Sequence, residues 1–287
     1  MKILLLGCNG MLGHMLAWYF MEQGYDVIGY ARKTSSIIPT VIGDAHDRNI
    51  LQDVISNKHF DVIINCIGIL NKSAEDNKVE AVFINSYIPH LLAKITENTV
   101  TQIIQVSTDC VFSGDKGNYC EYDFRDGNTF YDRTKALGEL DDNKNVTIRS
   151  SIVGPDQNPN GIGLLNWFLK QRGEIDGYQR VLWTGQTTLQ YAKTIEAVAR
   201  AKIHGIYNLV PNRSISKYDL LQLFNKYLRN NKITIRAKNT PISDKSLKRT
   251  RFDFNYYVPD YEDMVYQLAL WMRSHKELYP HYQLNYQ

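Results

Sequence analysis

Lys2-Ile3-Leu4-Leu5-Leu6-Gly7-Cys8-Asn9-Gly10-Met11-Leu12-Gly13 opens the chain. Lys2 to Leu6 is a short apolar run that reads as a buried strand. Beyond the glycines, Met11, Leu12, Met15, Leu16, Tyr19 and Phe20 recur at helical spacing with one apolar stripe. A glycine-rich turn between strand and helix lets the backbone approach a pyrophosphate, which sits on the positive end of the helix. The spacing of Gly7, Gly10 and Gly13 is Gly-x-x-Gly-x-x-Gly, looser than the Gly-x-Gly-x-x-Gly fingerprint. With Asn9, Met11 and Leu12 these glycines are expected to hold a dinucleotide. The alternative is a strand–helix turn that binds nothing.

Further strands extend the same pattern. Tyr25 to Tyr30 should end where an adenosine ribose lies, a place where an NAD site carries an acidic residue. Here stand Ala31, Arg32 and Lys33, and two cations suit a 2′-phosphate, so the expected cofactor is NADPH. A solvated basic loop is the plainer reading of the pair. Gly43-Asp44-Ala45 ends a third strand, where the adenine edge is read. Cys66-Ile67-Gly68 follows a fourth, Asp61 to Ile64, where backbone passes close to the cofactor. Strand–helix alternation through about residue 150 argues for a parallel sheet covered on both faces.

A fifth strand, Thr101 to Val106, delivers Ser107 and Thr108 at its carboxyl end, where open α/β sheets keep their ligands. Tyr131 and Lys135 lie four apart, on one face if the segment is helical. The ammonium would then lower the phenol's pKa, and the phenol could protonate a carbonyl oxygen as hydride arrives at carbon. With 19 tyrosines in the chain, this spacing arises about once by chance. Its placement after the fifth strand carries the weight. Thr108 would hydrogen-bond the same carbonyl oxygen.

These segments resemble the extended short-chain dehydrogenases, most specifically the dTDP-4-dehydrorhamnose reductase family. The resemblance rests on the Gly7–Gly13 loop and on Ser107-Thr108-Asp109 with Val111-Phe112. It includes Tyr131 to Lys135 continuing into Ala136-Leu137-Gly138-Glu139, Asn85, and Val146-Thr147-Ile148-Arg149. It implies a Rossmann-type doubly wound α/β domain over 1–151 and a smaller C-terminal α/β domain over 152–287. That second part would clamp a nucleotide-sugar over the nicotinamide, and part of 184–204 could return to the first domain. The resemblance further implies NADPH-dependent reduction of the C4 ketone of a dTDP- or UDP-linked 4-keto-6-deoxyhexose, or its 2-acetamido analogue. Thr108, Tyr131 and Lys135 would be the catalytic set, with Asn85 supporting the cofactor site and Asp109 near the substrate.

Cys110 departs from the reducing members, which usually have an aromatic residue there. The bifunctional GDP-fucose and plant UDP-rhamnose synthases resemble this chain in placing a cysteine. On a strand, Thr108 and Cys110 would face the same side. A thiol near a C4 ketone can move protons at C3 or C5. Lys170 is the expected second acid or base, with a solvated helix face as its plainer reading. A small buried side chain is the plainer reading of Cys110. Arg180 and Arg251 are candidate ligands of the diphosphate.

The composition is compatible. Net charge is +3 from 33 basic and 30 acidic residues, which does not suggest nucleic acid as a partner. Lys2 leads straight into a strand and no apolar run reaches membrane-spanning length, so neither leader nor membrane anchor is expected. Four cysteines without paired metal spacing, and seven histidines without an i, i+4 pair, suggest a reducing cytoplasm and no metal. Helices are expected at 164–172, 189–202, 216–230 and 260–275. The late tyrosines, Tyr256, Tyr257, Tyr261 and Tyr266, read as packing with wet hydroxyls. A homodimer is the habit of the relatives. Two other classes stay open: a dinucleotide-binding regulatory subunit, and an NAD-retaining nucleotide-sugar epimerase or dehydratase.

Overall fold

In the computed structural model, which describes residues 1–282 and residue 284, Ile3 to Leu6 are fully buried in strand β1 (Lys2–Leu6). Burying such side chains contributes about 1.5–3 kcal/mol each, which fixes β1 at the centre of the fold. Helix α1 (Met11–Glu22) follows it, then β2 (Asp26–Ala31), β3 (Thr40–Ile42), α2 (Arg48–Lys58) and β4 (Val62–Asn65). Short helices α3 (Asn71–Asp76) and α4 (Lys78–Ala81) lead through a π-helical turn into α5 (Ile88–Ile95). Next come β5 (Gln102–Ser107), α6 (Phe130–Leu137) and β6 (Val146–Arg149).

The second half begins with β7 (Ser151–Val153), α7 (Leu164–Leu169), β8 (Glu174–Tyr178), β9 (Val181–Trp183) and β10 (Gly185–Thr187). It continues with α8 (Thr188–Ala201), β11 (Gly205–Asn208), β12 (Ile215–Ser216) and α9 (Lys217–Arg229), and closes with β13 (Thr234–Lys238), β14 (Ser243–Asp244) and α10 (Tyr261–Ser274). No helix among the described residues is long and apolar enough to cross a membrane.

Seven strands form one parallel sheet in the order β11-β6-β5-β4-β1-β2-β3. The chain moves outward from β1 to β3, then crosses back to β4. The crevice between the carboxyl ends of β1 and β4 is therefore the switch point where such sheets bind ligands. This is the doubly wound α/β class. Small two- and three-stranded sheets, β10-β7, β12-β9-β14 and β13-β8, with helices α7, α9 and α10, build the remaining layer.

The two halves interleave. Tyr191, Ala192, Ile195 and Val198 of α8 pack with Leu12 and Leu16 of α1 against the parallel sheet, and β11 extends that sheet beside β6. The return to the sheet thus spans 188–208. Of the second domain expected over 152–287, residues 283 and 285–287 lie outside the described residues. On α9, Leu221, Phe224 and Leu228 are core. The late tyrosines split: Tyr257 and Tyr266 are exposed. The Tyr256 hydroxyl instead meets Gln190 and Thr194, and that of Tyr261 donates to the Arg213 carbonyl at 2.7 Å. Those two hydroxyls are satisfied by protein rather than water, because the loop and helix carrying them lie over α8 and β10.

Candidate active site

The glycine loop takes a shape that only small residues permit. Gly7 has φ +80°, in the left-handed region. A Cβ at Gly13 would stand 2.0 Å from the Gly7 carbonyl oxygen. Helix α1 starts at Gly10 with no side-chain cap and no acidic residue in its first turn, so its free N–H groups and positive end face the crevice. Gly7, Asn9, Gly10, Arg32, Lys33, Asp44, Ala45, Cys66, Ile67 and Gly68 all line one cleft of about 880 Å³. Asn9 Nδ2 donates to the Lys33 carbonyl at 2.8 Å, tying the loop to the basic segment.

Two residues lining this cleft, Asp44 and Glu80, are joined by a third that spacing did not reveal. His46 bridges Asp44 at 2.7 Å and Glu80 at 2.8 Å, and stacks on Phe83 at 4.3 Å. Hydrogen bonds from the His46 backbone and ring hold the Asp44 carboxyl below its usual range, and Asp44 raises the imidazole in return. Both groups are too exposed for this to matter greatly to stability. Asn85 does not line the cleft. It sits buried in the π-helical turn behind it, where its amide accepts from Ile69 N and donates to Ile69 O, both at 2.9 Å, and donates to Thr134 at 3.1 Å. Its part is to hold the 67–69 segment against α6.

A second cleft of about 420 Å³ continues from the loop. Met11, Leu12, Gly13, Thr108, Cys110, Tyr131 and Lys135 meet in its lining, together with Ser150, Ser151, Ile152, Asp156 and Leu164. Of the last five, four come from loops and a short strand without periodicity and Leu164 from the first position of α7, so sequence spacing missed them. Thr129 and Asp132 form a capping box that starts α6, so Tyr131 and Lys135 share a helical face. Lys135 Nζ donates to the Val106 carbonyl at 2.8 Å. Burial lowers its pKa to about 8, against the opposing charge of Glu139 and Cys66.

From the shared helical face, the ammonium is expected to pull the phenol down. Burial dominates instead and pushes Tyr131 up, with Cys110 and Asp109 adding to the rise and the Thr108 hydroxyl opposing it. The phenol therefore keeps its proton, which is the form a general acid requires. Thr108 Oγ1 accepts from Cys110 N at 3.1 Å and donates to Asp109 at 3.0 Å.

Several expectations are corrected. Residues 109–111 form a 3-10 turn rather than strand, because the Thr108 hydroxyl caps it. Cys110 reaches the cleft by that turn and not by strand alternation. Burial, with Asp109 nearby, pushes its thiol up to about 12. Asp109 lies behind the lining, its carboxylate accepting from Thr108 and Ser151. Lys170, exposed at the end of α7, places its ammonium on the Pro159 carbonyl. Arg180 is exposed in the turn between β8 and β9, outside the lining of both clefts.

Arg251 lies near Gly205, at the amino end of β11, on the opposite edge of the sheet from the clefts. It pairs with Asp253 at 2.6 Å, donates to the His204 carbonyl and covers the Tyr207 ring at 3.8 Å. It is a structural arginine. The cations whose charge reaches Cys110 are Lys245 and the largely enclosed Lys217, the latter over the Trp183 ring at 5.2 Å. Both arrive from far along the chain, so no local motif announced them.

Comparison with known proteins agrees with this fold. The family described as the RmlD substrate binding domain matches residues 1–252. A dTDP-4-dehydrorhamnose reductase of Mycobacterium tuberculosis is 31% identical over 144 residues, 48% of this chain and 44% of that protein. A probable low-salt glycan biosynthesis reductase, Agl14, of Haloferax volcanii is 29% identical over 137 residues, 46% of each. The matched region thus spans less than half the length of these curated relatives.

Among solved structures, a dTDP-4-dehydrorhamnose reductase of Bacillus anthracis in complex with NADP superposes with TM-score 0.79 at 20% identity, covering 94% of this chain and 98% of that one. The Clostridium acetobutylicum counterpart gives 0.79 at 21%, covering 95% and 100%. At these identities the likeness establishes the fold.

Proposed function

The chain belongs to the family of the RmlD substrate binding domain, and on that premise we propose that it is an NADPH-dependent ketoreductase. Its substrate in this reading is a nucleotide-linked 4-keto-6-deoxyhexose, reduced at C4. One observation carries the proposal: Thr108, Tyr131 and Lys135 line a cleft that is continuous with the glycine loop. The loop fits a dinucleotide, since a side chain at Gly13 would occupy the space its backbone needs and the end of α1 is uncapped. Arg32 and Lys33 suit a 2′-phosphate.

NADPH, when bound, supplies the hydride. Tyr131 delivers its proton to the ketone oxygen. The Thr108 hydroxyl, now spent on Asp109, turns to the same oxygen and orients it. Lys135, charged below about pH 8, favours the phenolate that remains. The test is NADPH consumption against dTDP- and UDP-linked 4-keto-6-deoxyhexoses, with and without a 2-acetamido group. Oxidation with one of them supports the reading. NADPH binding without oxidation of any would favour a regulatory subunit.

The basic pair makes its own prediction. Arg32→Ala with Lys33→Ala should weaken NADPH about 10- to 100-fold while leaving NADH within about threefold, from loss of charge-assisted bonds. Titration of both cofactors by fluorescence decides it; equal losses for the two would remove the pair from the site.

Cys110 supports a finer reading, epimerisation before reduction. Its protonated thiol lines the substrate cleft and can donate to an α-carbon once a base has taken the proton from the other face. In D2O, the wild type should place deuterium at C3 or C5 of the product, and Cys110→Ser should lose that label while still folding. Label retained in Cys110→Ser would assign the thiol to packing.

A further inference from the structure

Helix α6 and the residues just past its end grip the end of β5 at three successive levels, and only two of them enter the mechanism above. Tyr131 stands beside Thr108, and Lys135 holds the Val106 carbonyl. Glu139, four residues further on, holds Ser107 between them: Ser107 Oγ donates to Glu139 Oε1 at 2.7 Å. The Glu139 side chain is fully enclosed, as is the side chain of its main partner, the Arg149 guanidinium. Arg149 Nε donates to Oε1 at 2.7 Å and Nη2 to Oε2 at 2.6 Å, a two-pronged pair. Arg125, from the loop before α6, adds the fourth bond to the carboxylate, on Oε2 at 2.7 Å, and keeps about a third of its side chain in solvent.

Every acceptor site on this buried carboxylate is therefore spoken for, and the charge is held in place. The Arg149 guanidinium is fixed in turn by the Glu121 carbonyl at 2.9 Å and by the Phe112 ring at 5.2 Å. The close seat of α6 is set by Gly138, where a Cβ would fall 1.8 Å from the Asn85 carbonyl oxygen. Glu139 is the carboxylate whose field reaches the Lys135 ammonium. Cys66, just past the end of β4, is the other group whose charge reaches that ammonium, while Arg149 on β6 and Arg125 on the loop act on it through the Glu139 carboxylate they bind. Tyr191 of α8 lies next to Cys66 with its hydroxyl on the Ile148 carbonyl.

We propose that Glu139 is a positioning residue for the proposed reductase: it fixes Ser107 beneath Thr108 and stabilises the charged form of Lys135, with Arg125 as the adjustable partner that moderates it. The inference rests on the ketoreductase reading for its link to turnover, but not for its effect on Lys135. A merely structural Glu139 would lower activity uniformly at all pH. A charge that governs Lys135 does something else, because removing the anion and removing the cation act in opposite directions. Glu139→Gln takes away negative charge and favours the neutral amine. Arg125→Met takes away positive charge and favours the ammonium.

The experiment is the pH dependence of Lys135 acetylation by acetic anhydride, read by mass spectrometry, alongside the pH profile of kcat/KM with NADPH. Activity needs charged Lys135, so the basic limb should begin near pH 8 in the wild type. Glu139→Gln should move both the labelling midpoint and the limb down by about half a unit to one unit, and Arg125→Met should move them up by about a few tenths. If Glu139→Gln does not fold, Arg125→Met decides alone, because its partly exposed side chain leaves the Glu139–Arg149 pair intact. Midpoints unchanged in the folded variants, or shifted in the same direction, overturn the inference. Opposite labelling shifts in a protein that never oxidises NADPH would uphold it and sink the reductase reading instead.

Discussion

Tyr131→Phe is expected to reduce NADPH-dependent turnover by about 10²- to 10⁴-fold, the usual contribution of a positioned general acid. The change removes one oxygen from a side chain that is only 7% exposed and lies in the cleft lining. The ring keeps its packing against Ala74 and Ala81, so the fold should survive with a Tm within a few degrees of wild type. NADPH affinity should change by less than about threefold, since the loop and the basic pair proposed to hold the cofactor are untouched. Loss of turnover with binding intact is the signature of a group used in the transition state. A Tyr131→Phe protein that keeps most of its rate would transfer the acid's role elsewhere.

Gly13→Ala should have an effect of similar size by a different route. The added Cβ would lie 2.0 Å from Gly7 O, 2.8 Å from Gly7 C and 2.9 Å from Cys8 Cα. All three are backbone atoms, so no side chain can rotate away. Gly7, at φ +80° and against Cys66 and Ile67, has little room to yield. The loop must shift away from helix α1, at a stability loss of about 1–3 kcal/mol by the rule for overpacked sites. NADPH affinity should fall about 100-fold or more, because the displaced N–H groups no longer converge on one anion. Gly10→Ala is the control. Its Cβ would meet only Gly7 O, at 3.4 Å, so the variant should unfold within about 1 kcal/mol of wild type. Thermal melts and cofactor titrations of the pair test this; equal stability of the two variants would contradict the close-approach argument.

Much of this was legible in the sequence, for reasons that differ from residue to residue. The segment from Lys2 to Gly13 reads clearly because a buried run, a set of glycines and a helical stripe follow one another without a gap. Tyr131 and Lys135 read because a four-residue offset means a shared helical face. Cys66 to Gly68 read because the strand before them pairs directly with β1. In each case the information is local, or is carried by sheet order.

What failed was non-local. Arg251 looked like a phosphate ligand, yet its partners include the carbonyl of His204, 47 residues away. Lys217 and Lys245 approach Cys110 from beyond residue 210, and nothing near either of them marks that encounter. The strand assumed through Cys110 gave way to a turn because one hydroxyl, that of Thr108, captured the Cys110 N–H. The expected fall of the Tyr131 pKa became a rise because burial outweighs a cation whose bond goes to Val106. Spacing reports which side chains share a face, but not which are dehydrated.

The most direct test of the account is transfer of label from cofactor to sugar. NADPH carrying deuterium at the transferable position of nicotinamide C4 is incubated with the protein and dTDP- or UDP-linked 4-keto-6-deoxyhexose, and the product is examined by NMR. The account predicts one deuterium bonded to sugar C4, in a single configuration, for at least one of the substrates, and none with Tyr131→Phe over the same time. Bound NADPH that returns its deuterium to no sugar carbon, with every ketone left intact, would contradict it.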